Sequence, residues 1–281
     1  MIAIIINLVS MNMAMDNGDP ERRFGDFGVL MRASPPELIV VQEVSAHLGQ
    51  RALVGLVKSL GGDYTLSYQE GVYPAQKDED DGGLAVITSL PVIGSRATKL
   101  SSGGNQAQIV ELGSRYSRIV LANVHLEAAP KEERFRHRKV GDLADELQDT
   151  YKEKPQIIAG DFNALPFFPT ILRMKNRGYT SAFEFVHGRE PHHTFPTMDP
   201  DVLQKGKYMK HGEISKLRKV ARITNLFRRL REEIPHYTTD YVFLKHIPLP
   251  IRAELITGKD KNSEPISDHM GLRVRLPAVA T

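Results

Sequence analysis

The chain contains neither cysteine nor tryptophan among its 281 residues. Without cysteine there is no disulfide, no thiolate metal site and no cysteine nucleophile, and the absence favours an intracellular compartment. No apolar run approaches the ~20 residues that a membrane-spanning helix needs. The apolar residues 1–7 carry no basic segment and no small-residue cleavage site. We therefore interpret them as a strand rather than a signal peptide, and expect a cytoplasmic protein.

Positive charge is concentrated in one segment. The net charge is only +3, yet residues 201–236 hold ten Lys or Arg against four Asp or Glu, which leaves −3 for the remainder. Apolar residues recur at helical spacing in this segment, beside cations that include Lys216, Lys219 and Arg222. We interpret it as a basic helical insertion that contacts a phosphate-bearing substrate, either nucleic acid or an anionic membrane. A solvated helix whose apolar face packs on the core is the alternative.

The remaining sequence predicts an α/β protein. The composition, 41% hydrophobic and 25% charged, excludes disordered and fibrous classes, and without repeats or low-complexity linkers one domain over residues 1–281 fits better than two. Apolar or alternating runs predict strands at 2–13, 38–42, 64–68, 83–88, 106–112, 118–126, 155–161, 239–244 and 270–276. Helical periodicity occupies 46–60, 131–151 and 167–177. Short turns between 83 and 126 predict that part of the sheet is antiparallel.

Polar side chains stand where several of these runs end. Asp161 and Asn163 follow the apolar residues 157–159, and in an extended backbone both side chains would leave the same face. Gly160 lacks a Cβ, so a backbone or ligand can come close. The other polar residues at run ends are Asn12, Glu43, His125, Asp240, Asp268 and His269. Ends of buried strands are where α/β folds place their sites.

This set contains carboxylates, carboxamides and imidazoles. Its hard oxygen ligands suit Mg²⁺ or Mn²⁺ rather than zinc, and a histidine beside a carboxylate is a good acid or base at neutral pH. Taken singly, each residue has an ordinary explanation: Glu43 or Asp240 as a cap or surface charge, His125 as a core histidine, Asn12 as a turn residue. Together, in this order, they favour metal-assisted hydrolysis of a phosphate ester.

The order of these motifs resembles the endonuclease/exonuclease/phosphatase superfamily, which has the deoxyribonuclease I-like fold. The matching stretches are SMNM at 10–13, VVQEV at 40–44, GGLAVITSLPV at 82–92, ANVHLE at 122–127, IIAGDFN at 157–163, TTDYVFL at 238–244 and SDHMGL at 267–272. The resemblance implies a four-layer α/β sandwich, with two mixed central β-sheets flanked by helices. It also implies a Mg²⁺-dependent phosphodiesterase or phosphatase.

The resemblance implies a role for each matched residue. Glu43, Asn12 and Asp268 would hold the metal, with Asn12 also close to the phosphate. Asp161 would activate the attacking water and Asn163 would hold a phosphate oxygen.

Two histidines complete the implied set. His269, oriented by Asp240, would stabilise the transition state or act as an acid or base. His125 would protonate the leaving oxygen.

The substrate is not fixed by the resemblance. The lack of tryptophan counts against the abasic-site branch, while HLE at 125–127 and SDHMGL are closer to the tyrosyl-DNA phosphodiesterase-like and bacterial sphingomyelinase-like branches. Phe195, in a TFP element, would contact substrate near the cleft, although a strand followed by a proline turn explains it equally well. We expect a nuclease or DNA-end-processing phosphodiesterase; a phospholipid or small phosphoester hydrolase and a non-catalytic phosphate-binding module are the alternatives. No protein partner is implied.

Overall fold

The computed structural model describes residues 5–14, 19–44, 49–70, 82–100, 106–113, 118–128, 130–195, 237–259 and 265–277. The segment 201–236, with Lys216, Lys219 and Arg222, lies outside them. The basic helical insertion and the single domain over residues 1–281 therefore stay predictions. Within the described ranges, no helix is long and apolar enough to cross a membrane.

The described chain alternates strands and helices. The strands are β1 (Ile5–Asn12), β2 (Leu38–Val44), β3 (Thr65–Gln69), β4 (Gly83–Thr88), β5 (Val92–Lys99), β6 (Gln106–Gly113), β7 (Arg118–His125), β8 (Gln156–Asp161), β9 (Thr180–Ser181), β10 (Asp240–Lys245), β11 (Arg252–Ile256) and β12 (Gly271–Pro277). The helices are α1 (Pro20–Arg32), α2 (Gly49–Leu60), α3 (Glu133–Tyr151), α4 (Pro169–Asn176) and α5 (Ala182–His187), with a 3₁₀ turn at Pro130–Glu132 before α3.

The described strands form two six-stranded mixed sheets. The strand orders are β11-β12-β1-β2-β4-β3 and β5-β6-β7-β8-β10-β9. Each sheet has one parallel pair at its centre, β1 with β2 and β7 with β8, and antiparallel neighbours around it. Both sheets are thus built on the same plan.

Three apolar clusters separate four layers. One lies between the sheets and includes Leu8, Val40, Leu121 and Ile157. A second joins the first sheet to α1 and α2, and a third joins the second sheet to α3 and α4. This architecture confirms the predicted four-layer α/β sandwich with two mixed central sheets flanked by helices.

The predicted antiparallel run from 83 to 126 is divided between the sheets. Strands β5, β6 and β7 pair antiparallel in the second sheet, as expected. Strand β4 instead pairs with β2 and β3 in the first sheet. The chain crosses from one sheet to the other at residues 89–91, where Pro91 has no N–H to offer to a ladder.

Candidate active site

The topology brings six strand ends to one end of the sandwich. The parallel pairs end at Asn12 and near Glu43 in the first sheet, and at His125 and Asp161 in the second. Because β10 runs antiparallel to β8, its first residue, Asp240, lies opposite Asp161. Strand β12 runs antiparallel to β1, so the residues that precede it reach the same end.

Asp161 lies at the centre of the resulting cluster and is buried. It accepts hydrogen bonds from Asn12 Nδ2 at 3.1 Å and from the backbone N of Asn163 at 2.8 Å. Gly160, just before it, has φ +139°, and a Cβ there would lie 2.0 Å from the carbonyl oxygen of Val124. Glycine is therefore required for β8 to approach β7 at the site.

Asn163 differs from the extended geometry that the sequence predicted. The strand ends at Asp161, and Asn163 adopts a left-handed backbone with φ +48°. Its Nδ2 donates to the carbonyl of Leu126 at 2.8 Å. The prediction that Asp161 and Asn163 leave one face of a strand is wrong, because an Asx-type turn at Asp161 replaces the strand geometry.

Glu43 is directed into the cluster by a β-bulge. The register of β2 against β4 shifts between Val41 and Val44, and Glu43 has φ +54°. Its Oε1 accepts from Asn12 Nδ2 at 3.0 Å and lies 3.6 Å from His125 Nε2. Bulges commonly redirect a side chain next to a site.

A buried amide pair lies beside this bulge and links the two sheets. Gln42 Nε2 donates to Asn123 Oδ1 at 2.8 Å, and Asn123 Nδ2 donates to the carbonyl of Val41 at 2.9 Å. These bonds connect the strands that carry Glu43 and His125, so the relative position of the two sheets is fixed where the site needs it.

The second histidine is held by a carboxylate. His269 Nδ1 lies 3.0 Å from Asp240 Oδ2, and its Nε2 lies 3.9 Å from Asp161 Oδ2. The bond to Asp240 fixes the proton on Nδ1 and points Nε2 toward Asp161. The ring of Phe195 packs on the imidazole of His269 with 4.7 Å between centroids.

The loop before β12 is tied to the end of β1. Ser267 Oγ donates to the carbonyl of Asn12 at 2.6 Å and accepts from the backbone N of His269 at 3.0 Å. Ser267 had no predicted role, and in the structure it joins the first and last motifs of the chain.

Arg23, on α1, is a site-supporting residue that sequence analysis missed. This buried side chain donates to the carbonyls of Met13, of Ala14 at 2.8 Å and of Ile266 at 3.3 Å. It therefore fixes both loops that carry Asn12 and Asp268. Nothing in the sequence distinguishes Arg23 from the neighbouring Arg22. The two differ in burial, which is seen only in the structure.

The cluster is rich in negative charge. Burial, followed by the nearby Asp240, raises the pKa of Asp161 to about 6. Burial disfavours the imidazolium of His269, but Asp240, Asp161 and Asp268 outweigh it and raise the pKa of this histidine well above its usual value. Burial, followed by Glu43, raises the pKa of Asp268.

The residues present fit a divalent cation. Asn12 Nδ2 lies 3.0 Å from Glu43 Oε1, and after burial the proximity of Glu43 raises the pKa of Asp268, so the side chains that the sequence assigned to the metal converge. Beside them, Asp161, Asp240 and His269 can each offer one ligand atom within 4.8 Å of the others. Asp268 Oδ1 is buried without a hydrogen-bond partner in the described part of the chain. Crowded carboxylates whose ionised forms are disfavoured are stabilised by a cation, and oxygen donors suit Mg²⁺.

The structure thus brings together most of the residues that the sequence nominated. Those in mutual contact are Asn12, Glu43, His125, Asp161, Asn163, Asp240 and His269. Asp268 adjoins His269 in sequence, and the ring of Phe195 packs on His269. Their roles in metal binding and catalysis remain predictions.

Comparison with known proteins identifies the family. The model of the Endonuclease/Exonuclease/phosphatase family matches residues 9–269. The chain belongs to this family. A comparison with curated proteins found no match. Family membership places the chain among phosphoester hydrolases and nucleases.

Solved structures of low sequence identity share the fold. Truncated Caenorhabditis elegans TDP2 is 16% identical with a TM-score of 0.70, and the match covers 98% of each chain. The human Nocturnin catalytic domain with bound sulfate anion is 18% identical with a TM-score of 0.65, covering 97% of this chain and 96% of that one. D. rerio TDP2 complexed with single-strand DNA product is 16% identical with a TM-score of 0.64, covering 96% and 98%.

Proposed function

We propose that the protein is a Mg²⁺-dependent phosphodiesterase that hydrolyses nucleic acid, as a nuclease or a DNA-end-processing enzyme. The observation that carries this proposal is the contact of Asp161 with Asn12 and its position between two histidines, His125 Nε2 at 3.7 Å and His269 Nε2 at 3.9 Å. A base and two potential proton donors thus face one space.

Asp161 is the proposed base. Asn12 Nδ2 and the backbone N of Asn163 hold its two oxygens, so the carboxylate has a fixed orientation toward a water molecule. A pKa of about 6 leaves it ionised at neutral pH yet more basic than an ordinary aspartate. Asp161 takes the proton of the attacking water as the new phosphorus–oxygen bond forms.

The two histidines serve the other side of the reaction. His269, kept cationic by Asp240, donates from Nε2 to a phosphate oxygen and stabilises the charge of the transition state. His125 gives a proton to the leaving oxygen as the old phosphorus–oxygen bond breaks. Asn163 holds a further phosphate oxygen.

Glu43, Asn12 and Asp268 are the proposed metal-binding residues, with Mg²⁺ or Mn²⁺ as the ion. Asn12 already contacts Glu43, and the partnerless Asp268 Oδ1 supports the assignment. When bound, the cation neutralises charge on the phosphate oxygens.

Two observations support a nucleic-acid substrate. The similarly folded D. rerio TDP2 was solved with a single-strand DNA product. The segment 201–236 is strongly basic, and Lys216, Lys219 and Arg222 are proposed to contact substrate phosphates. Phe195, packed on His269, is proposed to contact the substrate next to the reacting phosphate.

A substrate panel tests the proposal. Plasmid, single-stranded DNA, 5′-phosphotyrosyl DNA and sphingomyelin vesicles would each be incubated with Mg²⁺ and with Mn²⁺. We expect turnover of DNA, its loss with EDTA, and its loss in Asp161→Asn. Asp149→Asn, at an exposed position late in α3, is the matched control. Turnover of sphingomyelin alone would favour the lipid alternative, and no turnover at all would leave a non-catalytic module.

A further inference from the structure

A groove between α3 and α4 carries cationic side chains that the proposed chemistry does not use. The groove is open to solvent and has a volume of about 470 Å³. Its lining residues are His137, Pro169, Leu172, Arg173, Asn176 and Arg177. Three of the six offer a basic nitrogen, and none is acidic.

Of the two arginines that line the groove, Arg173 is the one without a nearby carboxylate among the described residues. In the described part of the chain it has no carboxylate partner, and its Nε is buried without a hydrogen-bond partner. Its Nη1 donates to His137 Nδ1 at 3.4 Å, so the imidazole carries its own N–H on Nε2 and each side chain keeps a donor for an anion. The neighbouring Arg177, by contrast, is paired with both oxygens of Asp145.

Gly141 gives Arg173 its place in the groove. The guanidinium lies against the backbone of α3, and a Cβ on Gly141 would come within 2.1 Å of Arg173 Nε and Nη2. Such a contact forces a displacement, so the absence of a side chain at residue 141 determines where the guanidinium lies. A planar guanidinium held in this way matches the geometry of a phosphate group.

The groove lies toward the end of the sandwich that carries the active site. Helix α3 follows β7, which ends at His125, and α4 follows β8, which ends at Asp161. Glu133 Oε1 accepts from the backbone N and Oγ1 of Thr170, which joins the first turns of the two helices. His137 and Arg173 each lie one turn further along.

An exposed aromatic ring lies between the two sites along the chain. Phe167, between Asn163 and the start of α4, has 57% of its surface exposed. Bases of single-stranded nucleic acid stack on exposed aromatic rings, while neighbouring cations bind the backbone. The combination therefore favours single-stranded nucleic acid over an isolated anion.

We propose that the α3–α4 groove is a second phosphate site, where Arg173 and His137 bind a backbone phosphate of the single-stranded nucleic acid whose scissile phosphate lies at the strand-end cluster. The site extends substrate binding beyond the reacting phosphodiester. This inference rests on the proposed function for its ligand, although binding can be measured without turnover.

The test is binding of fluorescent single-stranded oligonucleotides of graded length, measured by anisotropy in EDTA with a non-hydrolysable phosphorothioate backbone. Arg173→Gln should weaken binding of long oligonucleotides about five- to tenfold. It should also flatten the slope of log affinity against log salt by about 0.7, the value for one lost contact to a single strand. The difference from the wild-type protein should shrink as the oligonucleotide is shortened.

Two variants make the test specific. Gly141→Ala keeps every charge but displaces the guanidinium, so it should weaken binding in the same direction. Arg252→Gln removes an equal charge at the opposite end of the sandwich and is the matched control. Thermal melting would establish that each variant is folded.

The outcomes separate this inference from the proposed function. Binding that depends on Arg173, without hydrolysis of any substrate, supports the groove and contradicts the enzyme. Hydrolysis together with unchanged binding in Arg173→Gln and Gly141→Ala overturns the groove alone. Arg173-dependent binding of only inorganic phosphate, or of only phosphatidylserine vesicles, would also overturn the nucleic-acid assignment.

Discussion

The strand-end cluster and the α3–α4 groove are proposed as two different kinds of phosphate site. The cluster is buried and acidic, so an anionic substrate is repelled unless positive charge compensates. The groove is more exposed, and Arg173 has no carboxylate partner in the described residues. The difference indicates a division of labour, since carboxylates and histidines can move protons whereas an arginine can only hold a phosphate.

Replacement of His269 should have the largest effect. His269→Ala removes the imidazolium that Asp240 holds toward Asp161, and we expect hydrolysis of DNA to fall about 10²–10⁴-fold. Steady-state kinetics would measure the loss. Oligonucleotide binding in the groove should persist, because His269 is held by Asp240 and Phe195, which belong to neither α3 nor α4. Activity close to wild type would contradict the role of His269.

Removal of the metal should abolish hydrolysis at the strand-end cluster but not binding in the α3–α4 groove. With EDTA, hydrolysis should fall to background, because the acidic cluster then repels the phosphate. Binding that depends on Arg173 should persist, since a guanidinium needs no ion. Anisotropy and activity would be measured on the same samples, before and after Mg²⁺ is restored. Loss of both functions with EDTA would show that the groove is not independent.

Replacement of Arg23 tests whether a residue outside the cluster, which only holds the backbone beside it, affects the rate of hydrolysis. Arg23→Met leaves the carbonyls of Met13, Ala14 and Ile266 without this donor, and we expect a loss of about 1–3 kcal/mol in unfolding free energy. Because these carbonyls flank Asn12 and Asp268, kcat should fall about tenfold or more in protein that remains folded. Arg22→Met, next to it, is the matched control. A stability loss with unchanged kcat would make Arg23 purely structural.

A buried carboxylate outside both sites gives the smallest expected effect. Burial raises the pKa of Glu190 from 4.5 to about 7, although the hydrogen bond that Ser181 Oγ donates acts in the opposite direction. The folded protein therefore keeps this proton at pH values where the unfolded chain has lost it. Its contribution to stability is complete below about pH 4.5, declines up to about pH 7, and is constant above that.

Glu190→Gln should remove this dependence. As the pH rises from 5 to 8, the unfolding free energy of the variant should increase by about 1–3 kcal/mol relative to that of wild type. Urea unfolding at each pH would measure it. Glu153→Gln is the control, because Glu153 is an exposed carboxylate whose partner is His246. If wild type and Glu190→Gln differed in unfolding free energy by the same amount at pH 5 and at pH 8, Glu190 would not be protonated in the folded protein.

The sequence predicted the strand ends because apolar runs stop at polar residues there. The runs around β1, β2, β7, β8 and β10 are apolar for most of their length and largely buried, so the positions of Asn12, Glu43 and Asp161 could be read from the sequence. Strand β5 was missed because its residues are mostly exposed and include Gly94, Ser95 and Lys99. Helix α1 was missed although Asp19 and Pro20 form a recognisable start, since its apolar content is low.

The supporting interactions could not be predicted, because they join residues far apart in sequence. Arg23 meets Ile266, and Gln42 meets Asn123, only after both sheets have formed. The turn at Asn163 was predicted as strand because its geometry depends on bonds to Asp161 and Leu126. The fit of Arg173 on Gly141 likewise depends on how two helices pack.

The most direct test of the account is a Mn²⁺ titration followed by NMR of the histidine side chains. If the residues from the first strand to the last surround one cation, substoichiometric Mn²⁺ should broaden the His125 and His269 signals together and affect His246, beyond the far end of β10, much less. Signals would be assigned with His125→Gln and His269→Gln. Broadening of only one of the two histidines, or of neither, would contradict a shared metal site.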